Sequence, residues 1–84
     1  MYSIRFSNQA KKYIDSLDTK RKKQIQNAID SLRIDPFSYP YKKLHDFEAD
    51  FRIRVGNLRI SYCVDKKEVL ISIIKIGKRE NFYS

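Results

Sequence analysis

The 84-residue chain has one cysteine, one histidine, no tryptophan, two glycines and two prolines. Cys63 alone cannot close an internal disulfide, which argues for a reducing compartment and against a disulfide-stapled secreted domain. One cysteine and one histidine (His45) cannot complete a zinc shell. With only Gly56 and Gly77, no glycine-rich phosphate loop exists. No metal and no cofactor is therefore expected. So little glycine and proline also excludes collagen-like and low-complexity chains. No apolar run approaches the roughly 20 residues that cross a bilayer. Charged residues follow Met1-Tyr2-Ser3-Ile4-Arg5 too closely for a signal peptide. The expectation is one small cytoplasmic domain spanning residues 1–84.

Charge is what the chain has in quantity. Eighteen Lys and Arg stand against ten Asp and Glu, a net charge of +8. Such an excess points to a polyanionic partner: nucleic acid first, with an acidic protein or a membrane surface as rivals. The 42% hydrophobic content, including six Tyr and five Phe, is enough to build a core, although a domain of this size buries only about 60% of its unfolded surface.

Residues 2–6 alternate apolar and polar side chains and read as a short strand. Ser7 or Asn8 can cap a helix whose apolar stripe is Ala10, Tyr13, Ile14 and Leu17. Asp18 or Thr19 can cap a second helix, with Ile25, Ala28, Ile29 and Leu32 as its stripe. The caps are so close that the helices must form a hairpin with a very short turn. Asp35-Pro36 ends the second helix, because the residue before proline is pushed out of helical geometry. The segment from Asp35 to Tyr41 then reads as a loop.

Three strands follow. Residues 51–55 alternate strictly up to a Gly56-Asn57 turn, and residues 58–64 alternate again up to a polar turn at 65–68. Residues 69–76 are nearly all apolar, which predicts a central strand covered on both faces. The resulting fold class is α+β: an N-terminal strand, a two-helix hairpin, then a mostly antiparallel three-stranded meander, with the helices on one face of the sheet.

Arg52, Arg54 and Arg59 are the only charged residues between positions 51 and 64. If Phe51, Ile53 and Val55 face the helices, Arg52 and Arg54 face away, and Arg59 projects the same way across the hairpin. Lys75, Lys78 and Arg79 arrive at the end of the last strand and are expected to join them. Such a face could simply solubilise the sheet. It could also be a floor for phosphate, since like charges across strands are unfavourable without such a use and the arginine fork suits phosphate. Lys20-Arg21-Lys22-Lys23, at the start of the second helix, is either a solvated face or an accessory nucleic-acid contact.

Two blocks carry a resemblance. One is Lys43-Leu44 followed by Phe51-Arg52-Ile53-Arg54-Val55-Gly56-Asn57-Leu58-Arg59-Ile60-Ser61-Tyr62; the other is Ile76-Gly77-Lys78-Arg79-Glu80-Asn81-Phe82-Tyr83. In these, and in length and element order over essentially the whole chain, the sequence resembles the RelE/ParE superfamily of toxin–antitoxin toxins, and more closely its RelE branch. The resemblance implies a ribosome-dependent endoribonuclease, or mRNA interferase, that cuts mRNA in the decoding site. It implies a cognate antitoxin whose acidic segment wraps the toxin, operator DNA reached only through that antitoxin, and no membrane partner. Arg59 and Arg79 match arginines that stabilise the scissile phosphate, and Tyr83 matches a tyrosine that stacks on the RNA or takes a proton from it. The RNA-binding set implied around this catalytic trio is Arg52, Arg54, Lys75, Lys78 and Lys43.

The positions of Arg52 and Arg54 are often lysine in the best-known members of that branch. Arginine supplies charge but cannot give up its proton. A base for the ribose 2′-hydroxyl must then come from Tyr83, Glu48, His45 or the ribosome. Tyr83 is the best of these, a phenol four residues after Arg79 whose proton neighbouring cations are expected to loosen. The alternatives are a ParE-like DNA gyrase inhibitor on the same fold, or an inactive toxin that survives as an antitoxin-binding corepressor.

Overall fold

A computed structural model describes residues 1–45 and 48–78. The order of elements is β1 (Ser3–Phe6), α1 (Asn8–Asp15), α2 (Thr19–Ile34), β2 (Tyr41–Lys43), β3 (Phe51–Val55), β4 (Leu58–Asp65) and β5 (Leu70–Lys78). The five strands form one sheet in the order β1-β5-β4-β3-β2. All neighbours are antiparallel except β1, which runs parallel to β5. The α+β class is as expected, with five strands in place of four and a mixed sheet.

Both helix starts follow from short polar side chains that satisfy otherwise orphaned amides. Ser7 caps α1, its Oγ accepting from the N–H of Ala10 at 3.1 Å. Asp18 caps α2, its Oδ1 accepting from the N–H of Arg21 at 2.8 Å, while the Arg21 guanidinium reaches Oδ2 at 2.9 Å. These bonds to Arg21 hold the Asp18 carboxyl below its usual range. Only residues 16–18 separate the helices, so the hairpin is as tight as the spacing of the caps requires.

One face of the sheet carries the core. Ala10, Ile25, Ala28, Ile29 and Leu32 from the helices meet Ile53, Val55, Leu58, Ile60, Tyr62, Ile71, Ile73 and Ile76 from the strands. At the β2 edge an aromatic group extends it: the Phe37 ring lies 5.2 Å from Tyr41 and 5.1 Å from Phe51, and Phe51 lies 5.7 Å from Tyr62. The Tyr62 hydroxyl donates to the carbonyl of Pro36 at 2.8 Å. That bond ties the 35–41 segment to the middle strand and presents Tyr41–Lys43 to β3.

Two expectations need correction. The stretch up to Tyr41 is loop only as far as Pro40, because Tyr41 opens β2, in register with Ile53. The apolar run of β5 is interior to the sheet, but helices cover one face only. A register shift leaves Ile74 as an extra residue between the pairs Tyr62–Ile73 and Ser61–Lys75. A bulge of this kind changes which residues point to which face. Ile71 and Ile73 face the helices before it and Ile76 after it, and all three are fully buried.

Candidate nucleic-acid interface

Directly opposed residues of neighbouring strands share a face, so the register lays out the sheet face opposite the helices. Lys42 of β2, Arg52 of β3, Ser61 of β4 and Lys75 of β5 form one row across four strands. The next row is Arg54, Arg59 and Gly77. In the other direction lie Cys63, Ser72 and Arg5. Four of the five arginines and lysines in this list from β2 to β5 cluster on β2, β3 and β4, with Lys75 completing the row.

The solubilising account fails on burial. Arg52 retains 8% and Arg59 9% of its exposure, and Ser61 between them retains 4%. Cations placed only to wet a sheet face would be solvated, whereas sequestering a guanidinium costs free energy that a solubilising role does not return. Arg54 is exposed and stands directly opposite Arg59. A depression of about 370 Å³ is lined by Pro40, Tyr41, Lys42, Arg52, Ile53, Arg54 and Arg59. A second, of about 260 Å³, is lined by Arg54, Gly56, Asn57, Leu58 and Arg59. The Arg54–Arg59 pair borders both, at the β3–β4 hairpin that Gly56 turns with a φ of +62°.

The structure sorts the expected site residues. Arg52, Arg54, Arg59 and Lys75 come together on this face. Lys43 is in register with Phe51 and Lys78 with Leu58, which puts both on the other face. Lys78 lines a depression with Tyr13, Leu17, Asp18 and Arg21 at the helix turn. Its displacement follows from the bulge, which shifts the alternation of β5 by one residue. Arg79 and Tyr83 lie outside the described residues. Lys42 was missed, since a three-residue edge strand after a loop-like segment gives no alternation to read. Arg5 was missed because nothing local to β1 says it pairs with β5.

The candidate bases are less well placed. His45 and Glu48 are exposed and follow β2. The carbonyl of Glu48 accepts from the Cys63 thiol at 3.3 Å, at the end of the face away from the Arg54–Arg59 pair. Burial raises the Cys63 thiol above its usual range, so it is a poor nucleophile. Among the described residues no three His, Cys, Asp or Glu side chains group as metal ligands, and no helix is long and apolar enough to cross a membrane. What the arrangement offers chemically is fixed positive charge in fork geometry, suited to an oxyanion with two free oxygens.

Comparison with known proteins agrees with this fold. The archaeal RelE of the RelE–RelB complex from Pyrococcus horikoshii superimposes with a TM-score of 0.82 at 26% identity, over 95% of this chain and 97% of that one. The intact E. coli RelBE toxin–antitoxin complex gives a TM-score of 0.80 at 22% identity, over 96% and 100%. The RelE1 protein of Methanocaldococcus jannaschii is 25% identical over 85 residues, 98% of this chain and 94% of that one. The class is thereby defined as a toxin of the RelE/ParE superfamily, RelE-like in its structure. Residues 4–84 match the model of the ParE-like toxin of type II bacterial toxin–antitoxin systems, and the chain belongs to that family.

Proposed function

We propose that this toxin is a ribosome-dependent endoribonuclease that cleaves mRNA in the decoding site. The observation that carries the reading is the Arg54–Arg59 pair, two like charges set directly opposite each other with Arg59 buried. Two arginines opposed across the β3–β4 hairpin present two guanidinium forks on one face, a donor set suited to a phosphate.

In the reaction, the ribose 2′-oxygen attacks the adjacent phosphorus and the bond from phosphorus to the 5′-oxygen breaks. The products are a 2′,3′-cyclic phosphate and a free 5′-hydroxyl. Negative charge on the two non-bridging oxygens grows as the phosphorane forms. In this reading Arg59 and Arg54 would meet that growth, which is where preorganised donors accelerate a reaction. The proton from the 2′-hydroxyl must pass to a base and another must reach the leaving 5′-oxygen. Neither arginine can be that base. Arg79 as a second phosphate ligand and Tyr83 as stacking or proton-accepting group complete the proposal through the family resemblance. No step calls for a metal ion.

The partner that silences the toxin is a cognate antitoxin with an acidic segment, as the RelE–RelB assembly of the archaeal relative suggests. A cationic face attracts such a segment and is covered by it. Operator DNA would be reached through the antitoxin alone.

The test is primer extension on mRNA incubated with the purified chain, with and without programmed ribosomes. Cuts confined to the decoding-site codon and seen only with ribosomes are expected. Intact mRNA under both conditions would overturn the reading and return attention to gyrase.

A further inference from the structure

We infer that Ser7 and Gln9, at the start of α1, are positioning residues for the cleavage reaction, holding the end of β5 where the chain leaves for Arg79. The inference rests on the endoribonuclease reading and adds to it two residues that touch no substrate.

β5 has a strand neighbour on both sides only as far as Ile73, where β1 gives out at Phe6. Beyond that point β4 continues alone, pairing Ile76 with Ile60, Gly77 with Arg59 and Lys78 with Leu58. A strand end held from one side only opens readily. Here side chains take the place of the missing strand. The carbonyl of Ile74 accepts from the Ser7 Oγ at 2.6 Å, and both backbone groups of Ile76 pair with the Gln9 amide. A primary amide carries a donor and an acceptor in one plane, so it can stand in for a strand residue.

The clamp is anchored in a stiff element. The Ser7 hydroxyl that donates to Ile74 also accepts from the N–H of Ala10, so one oxygen closes the helix and holds the bulge. Ala10 is fully buried, and α1 packs on β5. Satisfying stray edge groups would explain each bond singly. It does not explain why they gather on Ile74 and Ile76, just before Gly77 comes opposite Arg59. Bulges re-aim the residues that follow them and are over-represented beside active sites. From Ile76 only three residues lead to Arg79, which the proposed mechanism makes a phosphate ligand. Reacting groups misplaced by about 1 Å can lose on the order of 100-fold in rate. A clamp on the last residues of β5 guards against such a displacement.

Substitutions at Ser7 separate the clamp from the cap. Ser7→Thr keeps the hydroxyl, whereas Ser7→Asp keeps the capping acceptor but has no proton for the Ile74 carbonyl. Gln9→Leu preserves the bulk of the side chain and removes both bonds to Ile76. Ile29→Val, a core change on α2, is the control for lost stability with the clamp intact. Each protein, its folding checked by circular dichroism, is assayed for single-turnover cleavage of mRNA on programmed ribosomes over a range of toxin concentrations. Gln9→Leu and Ser7→Asp should lower the maximal rate by about tenfold or more, with the half-saturating concentration within about twofold of the parent's. Ser7→Thr and Ile29→Val should cleave like the parent. Parental rates in Gln9→Leu and Ser7→Asp would overturn the inference. So would an equal loss in Ile29→Val, or a loss that lies in the half-saturating concentration alone. Should Gln9→Leu fail to fold, the contrast between Ser7→Asp and Ser7→Thr decides the matter.

If the parent cuts no mRNA on ribosomes, the endoribonuclease reading fails, and amide relaxation judges the clamp separately. The order parameters of Gly77 and Lys78 should be about 0.85 in the parent and fall below about 0.6 in Gln9→Leu, or in Ser7→Asp if only that variant folds. Unchanged order at both residues would overturn the clamp whatever the toxin does to mRNA.

Discussion

The side-chain amide of Gln9 makes two hydrogen bonds to the backbone of one residue, Ile76: Nε2 donates to its carbonyl at 2.7 Å, and Oε1 accepts from its N–H at 3.0 Å. β1 ends at Phe6, opposite Ile73, so β5 runs on past its parallel neighbour. The Gln9 amide takes the place of the next strand residue there. Beside it the Ser7 Oγ donates to the carbonyl of Ile74 at 2.6 Å, at the bulge itself. Together the start of α1 fixes where β5 resumes its alternation, and hence that Lys75 and Gly77 meet the arginine rows.

Gln9→Ala should therefore leave two buried backbone groups of Ile76 without their partner. A cost of roughly 1–3 kcal/mol is expected, read as a lower midpoint in urea. Hydrogen exchange localises the effect, since the Ile76 amide should exchange faster relative to that of Ile60 on the same sheet. Unchanged protection at Ile76 would show that the amide pairing contributes nothing.

Val69 follows the polar turn between β4 and β5 with a φ of +52°, a region that a β-branched residue enters at a cost. The conformation is held from outside, because its carbonyl accepts from the N–H of Ser3 at 2.9 Å. Its side chain is 42% exposed and loses little packing on removal. Val69→Gly should raise stability by about 1 kcal/mol, the relieved strain exceeding the extra entropy glycine gives the unfolded chain. A lower urea midpoint for the variant would refute the strain.

The Arg54–Arg59 opposition should show itself as a trade between stability and activity. Arg54 is the exposed member of the pair, so Arg54→Ala removes repulsion and little packing. The variant should gain a few tenths of a kcal/mol, and the gain should shrink in 1 M salt, where screening is nearly complete. Cleavage on ribosomes should fall by tenfold or more. A variant that melts lower than the parent at low salt would mean that the pair is not under electrostatic strain.

The outlines of the fold were legible because each element is short, capped and periodic. Ser7, Asp18 and Asp35-Pro36 punctuate the helices, and the alternation of residues 51–64 sets β3 and β4 with Arg52, Arg54 and Arg59 on one face. What escaped was whatever depends on a neighbour. The triplet Ile71, Ile73 and Ile76 fits one face only if a residue is skipped, and the run of isoleucines hides that skip. From it follows the error over Lys78. The choice between Lys42 and Lys43 needed the register with β3, which a Pro-Tyr-Lys-Lys segment cannot supply by itself. The parallel pairing of β1 with β5 spans most of the chain and has no local signal.

Tyr62 gives a pH-dependent test of how the aromatic edge is held. Its hydroxyl is bonded to the Pro36 carbonyl, and burial, with smaller contributions from Tyr41 and Asp35, raises its pKa to about 12. The unfolded phenol titrates near 10. A folded pKa above the unfolded one means that the neutral form is favoured by folding. The stability this contributes is fully present below pH 10 and is lost progressively as the pH rises from 10 towards 12. Lysines titrate in the same window, so the useful quantity is the difference between the parent and Tyr62→Phe. At pH 7 the variant should be less stable by about 1 kcal/mol, for the lost hydrogen bond. Between pH 10 and 12 that deficit should close, because phenylalanine has no proton to lose. Two urea midpoint curves that stay parallel from pH 7 to 12 would show that the Tyr62 hydroxyl is not the group whose burial secures the Pro36 segment.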